Sequence, residues 1–174
     1  MKKIVWVSLW FAIIPFLLGA EMKNEAKVEI YSAKTGETQT VDPIVKSDAE
    51  WKKILTVEQF EVTRHKGTER PFSKQCAIPK SGKGIYQCVG CGTDLFQYGN
   101  KFESGTGWPS FWGPISPLNV KIEIDNSFGM HREEVLCARC GAHLGHIFDD
   151  GPPPTGKRYC INTVAIKLAE SKSS

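Results

Sequence analysis

The six cysteines of the chain fall into two groups by their spacing. Four of them form two Cys-x-x-Cys pairs, Cys88 with Cys91 and Cys137 with Cys140, and a glycine directly follows each pair. Thiolates in this paired spacing can meet tetrahedrally around one metal ion. We therefore expect these four cysteines to hold a structural Zn²⁺, with disulfides among them as the alternative in an oxidising compartment.

Cys160 belongs to neither pair, so its spacing gives it no structural use. Cysteine reacts as the thiolate, and the cation of nearby Arg158 favours that form. A single cysteine beside a β-strand is, however, often a small buried hydrophobic residue. On the residues alone, Cys160 is either a nucleophile or part of the core.

Histidines and a tryptophan are the other candidates for chemistry. His143 and His146 follow the second cysteine pair and could donate protons or bind a metal. Four cysteines already complete a tetrahedral site, which makes metal binding by the histidines the weaker interpretation. Trp108 could pack in the core or against a ligand. His65 and His131 fit no motif, and we expect both at the surface.

Two short helices are predicted near the start of the folded domain. Ser47 and Thr56 are each followed, three residues later, by Glu or Gln. This capping-box spacing lets a side chain and the backbone satisfy each other's free amide donors at a helix N-terminus. The spacing predicts helices over residues 48–54 and 57–65.

The pattern after Pro71 changes to brief extended runs separated by glycine and proline. These runs cover residues 84–88, 120–124 and 162–168. They predict a mainly β domain of antiparallel strands that is partly solvated on one side. Earlier in the chain, Val28 and Ile30 precede a Lys-Thr-Gly-Glu turn signal and Val41 follows it. This pattern predicts a short hairpin.

The first 20 residues have the pattern of an export signal, with Lys2 and Lys3 before an apolar run over residues 4–18. That run is shorter than the roughly 20 apolar residues of a membrane-spanning helix. Leu18 is large for the position three residues before a cleavage site, so an uncleaved membrane anchor is the alternative. Either way, we expect the domain to be exported, as a periplasmic, secreted or anchored protein. A membrane is a partner only if this segment stays attached.

Length and composition are those of one globular domain. The chain has 174 residues, 41% of them hydrophobic and 24% charged, with a formal net charge of +3. This balance indicates no nucleic-acid partner. We expect a signal peptide at 1–20, an N-terminal extension or hairpin at 21–46, the catalytic domain at 47–168 and a disordered tail at 169–174.

Three longer runs resemble a known family. They are G-T-G-W-P-S-F from Gly105, C-A-R-C-G-A-H-L-G-H-I-F-D-D-G-P from Cys137 and R-Y-C-I-N from Arg158. Together with both cysteine pairs they resemble the B-type peptide methionine sulfoxide reductases, over residues 47–168. The resemblance implies two antiparallel sheets with short N-terminal helices and a structural zinc remote from the reaction centre. It also implies reduction of the R epimer of methionine sulfoxide in oxidised proteins or peptides, with a thioredoxin-like reductant.

The resemblance also implies roles for individual residues. Cys160 matches the thiolate that attacks the sulfoxide sulfur, which leaves methionine and a sulfenic acid on Cys160. His143 and His146 match a pair of active-site histidines, and we expect His146 to donate the proton. The other matches are Asn162 for positioning the histidines, Arg158 and Asp150 for orienting polar groups and water, and Trp108 for packing against the substrate methyl group.

One position departs from the family pattern. Many members carry a second, resolving cysteine where this chain has Thr106, and a threonine hydroxyl cannot attack a sulfenic acid to form a disulfide. Cys76 is the only remaining candidate, and it lies in a segment whose Ser, Pro and Gly content predicts a surface loop. We expect Cys76 to resolve the sulfenic acid of Cys160, with a spare thiol as the alternative.

Two other functions compete with this hypothesis. In the first, the protein is a zinc-stabilised binding module without catalysis, and Cys160 is inert. In the second, one Cys-x-x-Cys pair is the redox device of a disulfide oxidoreductase. The second function requires a thioredoxin-like βαβ pattern, which neither pair shows in the surrounding sequence.

Overall fold

The computed structural model describes residues 26–73 and 84–169. The expected signal segment, Cys76 and residues 170–174 lie outside these ranges. The described residues form the helices α1 (Asp48–Trp51) and α2 (Val57–His65). The strands are β1 (Val28–Ser32), β2 (Glu37–Val41), β3 (Ile85–Cys88), β4 (Asp94–Gln97), β5 (Lys101–Phe102), β6 (Ser110–Phe111), β7 (Val120–Asp125), β8 (Arg132–Cys137), β9 (His143–Phe148), β10 (Arg158–Ile161) and β11 (Ile166–Ala169). Short 3₁₀ helices cover Tyr98–Asn100, Pro117–Asn119, Ser127–Gly129 and Thr163–Ala165.

The strands form antiparallel sheets throughout. One sheet has six strands in the order β5-β6-β10-β9-β8-β7, and a second has three in the order β11-β3-β4. Strands β1 and β2 pair as a separate hairpin. The predicted fold class, mainly β with antiparallel sheets and short N-terminal helices, is therefore confirmed.

Both helices begin at reciprocal capping boxes. The Ser47 side chain accepts the N–H of Glu50 while the Glu50 carboxylate accepts the N–H of Ser47, and Thr56 and Gln59 do the same for α2. Helix α2 has the predicted bounds, but α1 ends at Trp51 instead of residue 54. Beyond Trp51 the backbone tightens into turns, because the N–H groups of residues 53 and 54 bond three residues back rather than four.

One predicted strand is only half a strand. The run over residues 162–168 begins with the 3₁₀ helix Thr163–Ala165, and pairing with β3 starts at Ile166. The backbone N–H groups of Thr163 and Val164 bond the buried Glu69 carboxylate and are therefore engaged outside a sheet ladder. The other two runs, 84–88 and 120–124, match β3 and β7 to within one residue.

The core lies where the sheets and helices meet, and Phe96 stacks on Phe111 with ring centroids 4.5 Å apart. Trp51 of α1 is buried in the same core and packs against Gly90, where an added Cβ would lie 3.3 Å from the indole. The N-terminal helices are thereby fixed to the turn between Cys88 and Cys91. Within the described ranges, no helix is both long and apolar enough to cross a membrane.

Candidate active site and metal centre

Two equivalent turns bring the paired cysteines together. Cys88 ends β3 and Cys137 ends β8, and in each turn the glycine after the second cysteine has a left-handed φ, +76° at Gly92 and +65° at Gly141. A residue without a Cβ adopts this conformation at no steric cost. Each glycine N–H donates to the carbonyl of the first cysteine, at 2.9 Å. The result is the cysteine cluster, whose four sulfurs all lie within 4.8 Å of one another: Cys88, Cys91, Cys137 and Cys140.

The cysteine cluster has the dimensions of a tetrahedral metal site. The Cys88 and Cys140 sulfurs are 3.7 Å apart, and those of Cys91 and Cys137 are 3.5 Å apart. A Zn–S bond of about 2.3 Å gives a tetrahedron with edges of about 3.8 Å, whereas a disulfide bond measures about 2.05 Å. Hydrogen bonds to the Cys137 sulfur raise the pKa of Cys88 and Cys140, because sulfurs packed this closely resist becoming thiolates together without a cation. The four cysteines fit a metal ion that binds sulfur.

The six-stranded sheet gathers the reactive residues on one face. Cys160 pairs with His146 across β10 and β9, and Glu134 of β8 pairs with His146 on its other side. Directly opposed residues of antiparallel strands point to the same face. Arg132 lies two residues before Glu134, so it and its β7 partner Asp125 share that face.

A β-bulge places the two candidate histidines, His143 and His146, side by side. His143 and His146 are three residues apart, so regular alternation would point them to opposite faces of β9. The pairing of β8 with β9 shifts register at Leu136, which leaves Leu144 as an extra residue in β9. The bulge returns His143 to the face of His146, and their ring centroids are 5.4 Å apart.

A cavity of about 110 Å³, called here the Cys160 cavity, opens on this face. Its lining combines aromatic rings with a few polar groups, which suits a small side chain with one polar atom. Four residues singled out from the sequence line it, whereas His143, Arg158 and Asp150 do not. The lining residues are Thr68, Trp108, Arg132, Gly145, His146, Phe148, Cys160 and Asn162.

His143 and His146 each form a hydrogen bond with a carboxylate. His146 Nε2 lies 2.8 Å from Asp125 Oδ2, and Arg132 donates to the same oxygen at 2.6 Å. His143 Nδ1 lies 2.6 Å from Glu134 Oε1, and Lys66 donates to the other Glu134 oxygen at 2.7 Å. Burial is the largest influence on His143 and lowers its pKa despite the Glu134 carboxylate, so its neutral form is favoured.

Cys160 is a partly buried thiol with two groups that favour its ionised form. Burial raises its pKa, while the charge of Arg158 and a hydrogen bond from the Thr106 hydroxyl oppose that rise. The expectation that Arg158 favours the thiolate is therefore met in direction, but burial outweighs it. Arg158 itself is fixed by two hydrogen bonds to the Asp150 carboxylate, at 2.8 and 2.9 Å.

Thr106 belongs to a chain of hydroxyl groups behind Cys160. Its Oγ1 lies 2.9 Å from Ser104 Oγ, which lies 2.7 Å from Ser110 Oγ. Ser110 is the β6 residue that pairs with Cys160. This arrangement holds the Thr106 hydroxyl beside the Cys160 sulfur.

Glu69 connects two residues that line the cavity, Trp108 and Asn162, to the 3₁₀ helix Thr163–Ala165, and it was missed in the sequence. Its carbonyl accepts the Trp108 indole N–H at 3.2 Å, and its N–H donates to Asn162 Oδ1 at 3.2 Å. Its carboxylate accepts the N–H groups of Thr163 and Val164. Glu69 is only 5% exposed. No local pattern marks it, because these four partners are 39 to 95 residues away in the chain.

The remaining histidines lie away from the cavity. His65 and His131 are both exposed, and their ring nitrogens hydrogen-bond Glu61 and Asn126. Neither lines the Cys160 cavity.

Comparison with known proteins gives one consistent family. The SelR domain family matches residues 55–170. Over 125 residues the chain is 58% identical to the peptide methionine sulfoxide reductase MsrB of Methanosarcina barkeri, covering 72% of this chain and 87% of that protein. It is 53% identical over 128 residues to the MsrB of Hahella chejuensis, covering 74% and 91%. It is 57% identical over 123 residues to the chloroplastic peptide methionine sulfoxide reductase B1 of Arabidopsis thaliana, covering 70% and 60%.

Proposed function

The chain belongs to the B-type peptide methionine sulfoxide reductases and reduces methionine (R)-sulfoxide, and we propose that Cys160 carries the reaction by attacking the sulfoxide sulfur. The observation that supports this most is the pairing of Cys160 with His146 across β10 and β9 inside one cavity. A soft nucleophile and a proton donor are the two groups that sulfoxide reduction requires. The hypothesis of a non-catalytic binding module is abandoned.

The proposed first step transfers oxygen from one sulfur to another. The Cys160 thiolate forms a bond to the electrophilic sulfoxide sulfur while His146 protonates the sulfoxide oxygen. That oxygen then passes as a hydroxyl group to the Cys160 sulfur, and the bond between the two sulfurs and the sulfur–oxygen bond of the substrate both break. The products are methionine and a sulfenic acid on Cys160, so one thiolate, one proton and one sulfoxide are consumed. Since burial raises the pKa of Cys160, its proton must leave before or during the attack.

Substrate recognition is proposed to use the aromatic side of the cavity. The Trp108 indole is fixed through its N–H by Glu69, so its ring can pack against the substrate methyl group. Asn162 is held by Glu69 and by the Leu144 carbonyl at 3.1 Å, which positions a polar side chain beside His146. The substrates are oxidised proteins or peptides, because only the methionine side chain has to enter the cavity.

Regeneration is proposed to proceed through Cys76. Its thiol would attack the sulfenic acid, releasing water and forming a Cys76–Cys160 disulfide, which a thioredoxin-like dithiol then reduces. The support is chemical: of the six cysteines, four form the cysteine cluster and Cys160 is the nucleophile, which leaves Cys76. Thr106 stands at the usual resolving position and has no thiol.

We propose that the cysteine cluster holds one structural Zn²⁺, on the strength of its four-sulfur donor set and its dimensions. A bound ion would neutralise the thiolates and link β3 to β8. It would supply no step of the reaction, because none of its described ligands lines the Cys160 cavity. A Cys-x-x-Cys pair that cycles between dithiol and disulfide could not also be a permanent pair of zinc ligands.

Export of the protein remains a proposal from the sequence. Residues 1–20 are expected to direct the domain out of the cytoplasm, either as a cleaved signal or as an anchor. Cell fractionation combined with the intact mass of the mature protein would separate the two forms. A full-length chain found in the cytoplasm would contradict both.

The mechanism is tested by one turnover without reductant. One equivalent of a methionine (R)-sulfoxide peptide should yield one methionine and a Cys76–Cys160 disulfide, identified by peptide mapping. In Cys76→Ser, methionine should form as before, and a sulfenic acid reagent should label Cys160. In Cys160→Ser, no methionine should form. A wild type with Cys76 still free after turnover would remove the disulfide step and leave the first step standing.

A further inference from the structure

Asp125 is the last residue of β7 and holds the ring of the proposed proton donor. Its Oδ2 lies 2.8 Å from His146 Nε2, and the same oxygen accepts from Arg132 at 2.6 Å. Its Oδ1 accepts the backbone N–H of Ser127 at 2.9 Å. Both oxygens are therefore engaged, and the carboxylate has a fixed orientation toward His146.

The Asp125 carboxylate determines which ring nitrogen of neutral His146 is protonated. Hydrogen bonds from Ser127, and then from His146, lower the pKa of Asp125 well below its usual range, so the carboxylate is ionised throughout the neutral range. An ionised carboxylate only accepts hydrogen bonds, so Nε2 must be the protonated nitrogen. In the neutral imidazole Nδ1 then has no proton, and His146 can give one away only as the imidazolium.

We propose that Asp125 is a positioning residue that fixes His146 through Nε2–H, so that the proton given to the sulfoxide oxygen leaves from Nδ1. This inference rests on the proposed role of His146 in sulfoxide reduction. Asp125 does not line the cavity and acts on the substrate only through the imidazole ring. The arrangement is a carboxylate–histidine pair in which the carboxylate sets the tautomer and the orientation of the ring.

Other charges also face His146, and they have opposing effects. Asp125 is distinguished from the other acid, Glu134, because Glu134 is already bonded to both His143 and Lys66. Arg132 and His146 both donate to the same oxygen of the Asp125 carboxylate. The titratable and charged groups around the ring are Asp125 on β7, Arg132 and Glu134 on β8, His143 on β9, Cys160 on β10, and Lys66 after α2.

The competing explanation is purely structural. In that explanation Asp125 only joins β7 to β8 through its ion pair with Arg132, and the contact with His146 is incidental. The two explanations differ in pH dependence. A structural role changes stability or the rate at every pH alike, whereas a role in protonating His146 changes the pH at which the rate falls.

The test uses the full chain in single turnover with an (R)-sulfoxide peptide, between pH 5 and pH 9. In Asp125→Asn the decline of the methionine-forming rate at high pH should move to lower pH. The rate should be about tenfold or more below wild type at pH 8, and the gap should narrow toward pH 5. The matched control is Glu123→Gln, a carboxylate on the same strand with its own ion pair to Lys121, and it should follow the wild-type profile.

A second variant moves the profile in the opposite direction. Arg132→Gln removes a cation beside His146 and leaves the carboxylate, so the decline should move to higher pH. Iodoacetamide alkylation of Cys160 in both variants should keep the wild-type pH dependence, which separates His146 from the thiol.

The outcomes that overturn the inference are specific. They are an Asp125→Asn profile that superimposes on wild type, or a folded variant slowed equally at every pH. If Asp125→Asn does not fold, an Arg132→Gln profile that fails to move upward contradicts the inference instead. A wild type that produces no methionine would contradict the proposed function itself.

Discussion

The cysteine cluster and Cys160 place the same side chain in two different environments. In the cysteine cluster each sulfur has another sulfur at 3.5 or 3.7 Å, and the Cys91 sulfur also lies 3.2 Å from the Thr93 hydroxyl. At Cys160 the sulfur meets a hydroxyl and a guanidinium and faces a cavity shared with an imidazole. A thiol surrounded by thiols is suited to hold a metal, whereas an isolated thiol beside donors and an open cavity is suited to react.

The two regions share the sheets but differ in access. Cys88, Cys137 and Cys140 are buried in the hydrophobic core, and the turn between Cys88 and Cys91 packs against Trp51. Cys160 lies on a sheet face that opens to solvent through the cavity. Removing a sulfur from the first region should therefore destabilise the fold without affecting the reacting groups directly. Removing the sulfur of the second should abolish the chemistry in a folded protein.

The largest effect on stability is expected for Cys137→Ser. The change removes one of four metal ligands, and part of the metal binding free energy is folding free energy. We expect metal content to fall well below one equivalent and the free energy of unfolding to drop by about 3 kcal/mol or more. Elemental analysis and denaturant titration check this, with Cys160→Ser as the control that keeps both metal and stability. A Cys137→Ser protein as stable as wild type would end the assignment of a structural metal.

A large effect on the reaction alone is expected for His146→Ala. The imidazole proton matters most as the sulfur–oxygen bond breaks, so the single-turnover rate should fall by about a hundredfold. Peptide affinity should change little, and metal content should not change at all. Stopped-flow measurement of methionine formation checks the rate. A rate equal to wild type would transfer the acid role to another group.

A smaller effect that links geometry to binding is expected for Glu69→Gln. The amide keeps one acceptor but places an NH₂ group against the N–H donors of Thr163 and Val164, which loosens the contacts with Trp108 and Asn162. We expect KM for the peptide to rise by about tenfold, with a stability cost of about 1–3 kcal/mol. Steady-state rates measured over a range of peptide concentrations up to saturation give KM and kcat separately. The control is Glu50→Gln, which weakens a cap at α1 and should leave KM unchanged.

The smallest effect is expected for Thr106→Val. The hydroxyl hydrogen bond favours the Cys160 thiolate and so lowers the pKa of that thiol against the effect of burial. Losing it should raise the pKa of Cys160 further and move half-maximal alkylation by iodoacetamide to higher pH, by about one unit or less. Thr106→Ser retains a hydroxyl and should keep the wild-type midpoint. A shift to lower pH would contradict the sign of this interaction.

The fold was predictable wherever the signal is local. Capping boxes at Ser47 and Thr56 placed both helix starts, and the extended runs at β3 and β7 were found to within a residue. The 3₁₀ helix at Thr163–Ala165 was not predicted, because its amides bond a carboxylate 94 residues earlier in the chain. The end of α1 was missed for a different reason, a switch in hydrogen bonding that propensity does not encode.

At the site, too, residues marked by a local sequence pattern were predictable, and residues placed by long-range contacts were not. Spacing alone identified the cysteine cluster, since each half is one tight turn. The family resemblance supplied Cys160, His146, Trp108 and Asn162, which the structure brings to one cavity. Asp125 was missed because its contact with His146 depends on how β7, β8 and β9 align. The bulge that turns His143 onto the same face is likewise a property of strand pairing and leaves no mark in the local sequence.

The central claim is that Cys160, and no cysteine of the cysteine cluster, performs the reduction. The most direct measurement is methionine formation from the separate R and S epimers of methionine sulfoxide, with dithiothreitol as reductant, in wild type and Cys160→Ser. The wild type should convert the R epimer and leave the S epimer, while Cys160→Ser should convert neither and keep the wild-type metal content and melting temperature. Turnover of the R epimer by a folded Cys160→Ser protein would contradict the claim.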